Sequence, residues 1–341
     1  MERDEFYMAR ALKLARNALG ETAPNPLVGA VVVKDGVILG EGWHHRAGEP
    51  HAEPLAIENA GDCRGATLYV TLEPCCTTGR TPPCTKRIIE AGIKRVVFGV
   101  RDANPKHTGA AVKILSDAGI QVTDGCLQEE CRRINEDFFW WIQRKRPFVT
   151  LKMAMTLDGK IATAQGESRW ISGSEAQAFV QELRRKAGAV MVGGETVRKD
   201  NSSLLIHDPT ATRQPRRIVW TSRPLPPDAQ MLRDGGPVPE LAKPQSQEEW
   251  LAFLRQLGEQ NILHLLLEGG GELASAALHA GIVNQLHFFV APKILGGRGS
   301  RPVVGGNNPL SLTEAIPLAQ METQTIGNDL LITAIPTNLI E

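Results

Sequence analysis

The chain lacks any imbalance of charge: its 341 residues carry 38 Lys and Arg against 38 Asp and Glu, a formal net charge of zero. A protein that tracks a phosphate backbone usually carries a basic surplus, so no nucleic-acid partner is expected. A small phosphorylated ligand needs only one local cradle and stays open. No apolar run approaches the roughly 18 residues of a membrane span, so no membrane partner is expected either. The opening Met1-Glu2-Arg3-Asp4-Glu5 is charged and leads into an amphipathic stretch rather than a secretory apolar core. A cytoplasmic location is therefore the expectation. Internal repeats and low-complexity tracts are missing. Cysteine is sparse, with Cys63, Cys75, Cys76, Cys84, Cys126 and Cys131 only. In an intracellular chain of this size, such residues are expected as metal ligands or buried thiols, not as a disulfide framework.

What the chain has is an alternation of strand and helix signals, long enough for two domains. Apolar spacing predicts helices over 4–19, 51–60, 85–91, 110–118 and 127–144. Strands are predicted over 66–72, 95–100 and 120–123, and a hairpin over 28–39 turned by Asp35-Gly36. This pattern implies an α/β fold whose opening hairpin makes the sheet mixed. Arg144-Lys145-Arg146-Pro147 breaks the last helix and marks the expected boundary between domains 1–146 and 147–341. A second α/β pattern follows, with strands over 148–155, 189–192, 217–221, 262–267, 285–290 and 329–335. Its helices are predicted over 175–187, 247–260 and 272–280. The stretch 224–245, rich in proline and glycine, reads as a long surface loop. In the run Phe138-Phe139-Trp140-Trp141, four consecutive aromatics cannot share one helix face, so some are expected to pack away from the first core.

The strongest chemical signal is His51-Ala52-Glu53, then Glu73-Pro74-Cys75, then Cys84. A catalytic zinc site takes three protein ligands and keeps a fourth position open for water. One imidazole and two thiolates supply that set, with Cys76 a competitor for Cys75. Zinc brings the pKa of water to about 7, which provides hydroxide for attack on a ring carbon bearing an amine. Glu53, two residues from His51, is placed to carry the proton to the departing nitrogen. The order matches zinc deaminases of nucleobases, although eight residues rather than two separate the cysteines. Cys63, Cys126 and Cys131 read as buried or incidental thiols.

The neighbouring residues carry a resemblance. Pro24-Asn25-Pro26-Leu27-Val28-Gly29, Gly42-Trp43-His44, Tyr69-Val70-Thr71-Leu72-Glu73-Pro74-Cys75 and Gly79-Arg80-Thr81-Pro82-Pro83-Cys84 resemble the bifunctional deaminase–reductases of riboflavin biosynthesis. So do Thr156-Leu157-Asp158-Gly159-Lys160-Ile161-Ala162, Gly166-Glu167-Ser168-Arg169-Trp170-Ile171 and Glu268-Gly269-Gly270. The resemblance implies a cytidine-deaminase-like three-layer α/β/α domain followed by a dihydrofolate-reductase-like domain. It implies Zn2+ and NADPH as cofactors and a small phosphorylated pyrimidine as substrate. It further implies a homo-oligomer formed through the reductase half. Carried over residue by residue, it makes His51, Cys75 and Cys84 the ligands and Glu53 the proton shuttle. Asn25, His44, Thr77 and Arg80 fall at deaminase substrate positions. Ala154, Trp170, Thr196, Asp200, Ser222 and Gly270 fall at NADPH positions. Lys152, Ser168, Arg184, Leu204, His207 and Glu268 fall at reductase substrate positions.

The chain departs from that pattern in places. Thr77 stands where histidine is usual, and Ser202, Leu205 and His207 replace proline, threonine and arginine. Thr221 stands where aspartate is common. Histidine in place of arginine at a phosphate contact gives up a fixed, bidentate charge. Two other readings follow: a paralogous pyrimidine deaminase with a weak or inactive reductase half, or a non-catalytic zinc-stabilised binding protein. Glu53 speaks against the second, since a closed structural site needs no proton shuttle.

Overall fold

A computed structural model describes residues 2–77, 82–104, 109–209 and 211–340. It divides into two compact units, Met1–Lys145 and Arg146–Glu341.

In the first unit, α1 (Glu2–Ala15) precedes the hairpin of β1 (Gly29–Lys34) and β2 (Val37–Trp43). Asp35 and Gly36 both take positive φ at its turn, as the Asp-Gly pair predicts. There follow α2 (Ala52–Ala60), β3 (Thr67–Leu72), α3 (Cys84–Glu90), β4 (Arg95–Val100), α4 (Ala110–Asp117), β5 (Gln121–Thr123), α5 (Gln128–Arg133) and α6 (Glu136–Arg144). The strands lie in the order β2-β1-β3-β4-β5. β1 runs antiparallel to both neighbours, while β3, β4 and β5 are parallel, so the sheet is mixed. Alternate residues of each strand face opposite layers. Ala30, Val32, Val70 and Phe98 meet Ala56 and Ile57 of α2, Ile88 of α3 and Leu115 of α4. α1 packs on β1 and β3 with Met8, Ala11 and Ala15 buried.

The single helix expected over 127–144 is in fact two. Asn135 sits at the break, buried, and its carboxamide is spent on another segment: Oδ1 accepts from Leu27 N at 2.7 Å and Nδ2 donates to Leu27 O at 2.8 Å. Apolar spacing continues through the break, which is why periodicity alone missed it. Of the aromatic run, Phe138 and Phe139 are buried. The rings of Trp140 and Trp141 lie beneath Arg144 and Lys145, at 5.7 and 5.1 Å.

The second unit comprises β6 (Phe148–Thr156), β7 (Lys160–Ala162), α7 (Ser174–Lys186), β8 (Ala189–Gly193), α8 (Gly194–Asp200), β9 (Arg216–Trp220) and β10 (Glu240–Ala242). It continues with α9 (Gln247–Glu259), β11 (His264–Glu268), α10 (Gly271–His279), β12 (Gln285–Ala291), β13 (Arg301–Pro302), β14 (Leu318–Ile326) and β15 (Asp329–Pro336). Eight strands form one sheet in the order β10-β9-β8-β11-β6-β12-β15-β14. From β10 to β12 the pairs are parallel; β15 and β14 close the sheet antiparallel. β8 and β11 are buried along their whole length, which explains the apolar runs Ala189 to Val192 and Leu265 to Leu267. Trp250 and Leu254 of α9 and Leu273 and Ala277 of α10 pack on one face against Leu151, Met191 and Leu265. On the other face, Leu183 of α7 and Val197 of α8 meet Val190, Val219 and Leu266.

The stretch 224–245 is better ordered than a surface loop. Its Glu240–Ala242 pairs with β9. Beneath it lies Arg217, whose side chain is fully buried and donates to Ser203 O, Met231 O, Pro237 O and the Asp234 carboxylate. Strand β14 escaped the sequence reading because all its residues but the last are exposed, so it carries no burial alternation.

Candidate functional site

The first constellation rests on α2. Gly40 and Gly42 of β2 let that helix approach backbone to backbone: a Cβ on Gly40 would stand 2.3 Å from Ala56 O, and one on Gly42 2.6 Å from Ala52 O. His51 occupies the N-cap position of α2, with extended backbone, and Glu53 lies in the first turn. Cys75 follows β3, and Cys84 is the first residue of α3. The two segments are tied together, since Cys84 N donates to Cys75 Sγ at 3.3 Å and Thr85 N to Cys75 O at 3.2 Å.

These side chains converge. His51 Nδ1 stands 3.3 Å from Cys84 Sγ and 3.6 Å from Cys75 Sγ, and the three ligand atoms lie within 4.8 Å of one another. A tetrahedral zinc with Zn–S of about 2.3 Å and Zn–N of about 2.1 Å puts nitrogen and sulfur about 3.6 Å apart. The donor set therefore fits the metal in type and in spacing. Cys76 stands outside the convergent group. Without a cation the sulfurs compete for one proton: the Cys84 thiol draws Cys75 down to about 4, and the Cys75 thiolate pushes Cys84 up. Such a pair exchanges its shared proton for a metal ion. Glu53 is buried beside them, and burial raises its carboxyl to about 7, opposed first by the charge of His51. A group that titrates there can both take and give a proton at neutral pH.

His44 and Asn25 belong to the same place. The ring of His44 meets that of His51 edge-on, with centroids 5.3 Å apart. His44 Nδ1 lies 3.0 Å from Pro50 O and therefore donates to it, which leaves Nε2 to accept from Asn25 Nδ2 at 3.0 Å. Burial lowers the His44 pKa and keeps the ring neutral. The Asn25 amide is thereby oriented, with its Oδ1 available as an acceptor. Thr77 is exposed. Arg80 lies outside the described residues. Sequence reasoning gave Glu73 no role of its own. It is buried, and its carboxylate accepts from Asp102 N at 3.2 Å, Gly109 N at 3.0 Å and Ala111 N at 3.3 Å, bracing the segment that follows β4. A charged residue beside Pro74 at the end of an apolar strand was the available signal.

The second constellation surrounds a cavity of about 930 Å³ at the carboxyl ends of the parallel strands of the second unit. Such strand ends are where open α/β sheets bind ligands. All twelve residues singled out in this half line it: Lys152, Ala154, Ser168, Trp170, Arg184, Thr196, Asp200, Leu204, His207, Ser222, Glu268 and Gly270. Trp170 is 68% exposed at its rim, so it is no core residue. Gly269 and Gly270 take φ of 72° and 85° between β11 and α10, a path that side chains resist. Their amides open the helix at the position where an anion is favoured.

Arg184 grips Glu268 through Nε and Nη2 at 2.6 and 2.9 Å and spends Nη1 on Leu205 O. That guanidinium holds the buried Glu268 carboxyl below its ordinary range. Lys152 lies near both, and burial lowers its pKa against the pull of Glu268. Ser168 Oγ donates to Asp200 Oδ1 at 2.7 Å. His207 is exposed, and its backbone N–H donates to Gln181 Oε1. Thr221 is buried, and its Oγ1 accepts from Arg223 N at 3.1 Å.

Comparison with known proteins gives the family of both units. Residues 147–332 match the RibD C-terminal domain, and residues 1–100 match the cytidine and deoxycytidylate deaminase zinc-binding region. The riboflavin biosynthesis protein RibD of Actinobacillus pleuropneumoniae is 43% identical over 96% of this chain and 94% of its own. The structure of RibD from Acinetobacter baumannii superposes with a TM-score of 0.87 at 36% identity, covering 98% of this chain and 99% of that one. That of a diaminohydroxyphosphoribosylaminopyrimidine deaminase/5-amino-6-(5-phosphoribosylamino)uracil reductase from Thermotoga maritima gives 0.83 at 38% identity, over 98% and 99%. The chain therefore belongs to the RibD family of riboflavin-biosynthesis enzymes, joining a cytidine-deaminase-like zinc domain to a dihydrofolate-reductase-like domain.

Proposed function

We propose that residues 1–146 deaminate 2,5-diamino-6-(5-phosphoribosylamino)pyrimidin-4-one to 5-amino-6-(5-phosphoribosylamino)uracil, and that residues 147–341 then reduce its ribose to a ribityl chain with NADPH. The convergence of His51, Cys75 and Cys84 beside a buried Glu53 carries the first half of this reading.

His51, Cys75 and Cys84 would hold zinc, which when bound would supply a nucleophilic oxygen from water at neutral pH. Glu53 takes the proton released there and returns it to the exocyclic nitrogen as ammonia leaves. Asn25, fixed by His44, accepts from the substrate through Oδ1. By the family resemblance Thr77 and Arg80 serve the substrate, a guanidinium being suited to its phosphate.

In the reductase half, NADPH supplies the hydride. Ala154, Trp170, Thr196, Asp200, Ser222 and Gly270 would hold the dinucleotide, the glycine amides being suited to its phosphates. Ser168, Leu204 and His207 hold the sugar phosphate, and Arg184 keeps Glu268 ionised against the ribose hydroxyls. Lys152 would give the proton that the ring oxygen needs as the C1′–O bond opens on reduction of C1′. The edge strand β14, exposed with Leu318 and Met321 open, supports association of copies through this half. Six cysteines with no disulfide among them, two of them the proposed thiolate ligands, suit a reducing cytoplasm.

A coupled assay tests the whole. The purified chain is given the diaminopyrimidinone substrate with and without NADPH, and products are identified by mass. The expected result is the aminouracil alone without NADPH and the ribityl product with it. Recovery of unchanged substrate in both reactions would refute the proposal.

A further inference from the structure

Resting on the reductase reading of this cavity, we infer that Gln214 is a positioning residue for the sugar-phosphate substrate, acting through the backbone of 203–207. That segment lies between α8 and β9 and belongs to no helix or strand. It carries Leu204 and His207 to the cavity wall. Leu204 holds φ at 63°, in the left-handed region that a bulky side chain resists. Its side chain is buried in the cluster of Leu183, Val190 and Val197. A backbone of that shape persists only where its surroundings over-determine it. With no strand ladder to satisfy them, its N–H and C=O groups need partners from elsewhere.

Side chains supply those partners. The Gln214 carboxamide pairs with Ile206 as a neighbouring strand would: Oε1 accepts from Ile206 N at 2.7 Å and Nε2 donates to Ile206 O at 3.0 Å. Arg184 Nη1 donates to Leu205 O at 3.0 Å, and Gln181 Oε1 accepts from His207 N at 2.9 Å. On the other side of Leu204, the buried Arg217 donates to Ser203 O at 2.9 Å, and Ser203 Oγ donates to the Asp234 carboxylate at 2.6 Å. Arg184 and Gln181 also line the cavity, whereas Gln214 does not. Gln214 therefore acts by fixing Ile206, two residues after Leu204 and next to His207. His207 offers an imidazole in place of a fixed guanidinium, so its contact depends on where this backbone sets it. Misplacing a binding group by about 1 Å is enough to cost a large part of its effect.

Steady-state reduction of the aminouracil by the full-length chain, with NADPH affinity measured separately by tryptophan fluorescence, tests the inference. Gln214→Ala removes both bonds to Ile206 and is expected to raise the aminouracil KM about tenfold. Its kcat and its NADPH affinity should each stay within about threefold of the parent, the pattern of lost substrate binding alone. Gln214→Glu keeps the acceptor for Ile206 N but, when ionised, sets a second acceptor against Ile206 O. Its KM relative to the parent is therefore expected to be high at neutral pH and to fall as the pH is lowered toward about 5, where the carboxyl regains a donor. A loss of stability alone gives neither that split nor that recovery. An unchanged KM in Gln214→Ala, or a rise matched by an equal loss of NADPH affinity, would overturn the inference while leaving the reductase reading intact. So would a KM ratio in Gln214→Glu that does not change with pH. Failure of the parent chain to oxidise NADPH with the aminouracil would overturn that reading itself, and the inference with it.

Discussion

At the scale of single residues, the first unit holds Glu53, a carboxyl that burial raises to about 7 beside two sulfurs and an imidazole. Its position in the sequence, two residues after His51 and at the start of a helix, makes it a candidate without a structure. What the sequence could not give was the company it keeps. The hydrogen bonds from Pro50 O through His44 to Asn25 join three separate segments, and no spacing rule connects them. Glu53→Gln keeps the size and one acceptor but cannot take up a proton. It is expected to retain about one zinc per chain, since the three ligands are untouched. Deamination should fall by roughly a hundredfold to ten-thousandfold, the usual worth of a general acid–base. Metal content by atomic absorption and turnover by ammonia release decide this, and full turnover in a zinc-loaded variant would remove Glu53 from the proton path.

At the scale of elements, the sequence was most readable where one face of a segment is buried and least where burial gives no rhythm. β8 and β11 are legible because each carries a run of buried apolar residues, Ala189 to Val192 and Leu265 to Leu267. β14 was missed because its side chains meet solvent, and β10 because it is three residues long inside a proline-rich stretch. The helix over 127–144 failed for a different reason. A buried carboxamide at Asn135 serves the backbone of Leu27, 108 residues away, and interrupts the helix to do so. That bond also fixes the segment carrying Asn25, so it links the last helices of the unit to its substrate side. Asn135→Ala leaves a buried N–H and C=O of Leu27 without partners, at roughly 1–3 kcal/mol each for full desolvation. The variant should unfold at a clearly lower urea concentration. The deaminase KM should rise before stability fails, because Asn25 loses its anchor. An unfolding midpoint equal to that of the parent would show that Asn135 carries no such weight.

At the scale of the whole molecule, the two chemistries draw on separate stretches of chain. Every zinc-directed residue lies within 1–145, and every residue lining the 930 Å³ cavity lies within 146–341. The division falls within the basic run Arg144-Lys145-Arg146-Pro147, between Lys145 and Arg146, where one run of alternating elements stops and another begins. It has a consequence for metal removal. Extraction of zinc returns two sulfurs and an imidazole to competition for protons around a buried carboxyl, so the first unit should lose stability along with its activity. The second unit has no ligand in that set. Chelation is therefore expected to abolish ammonia release from the diaminopyrimidinone, while NADPH oxidation persists when the aminouracil is supplied directly. Added zinc should restore the first activity and leave the second unchanged. Parallel loss of both activities as the metal is withdrawn would mean that the reductase depends on the zinc-bound state of the deaminase, and the two halves could no longer be treated as independent catalysts.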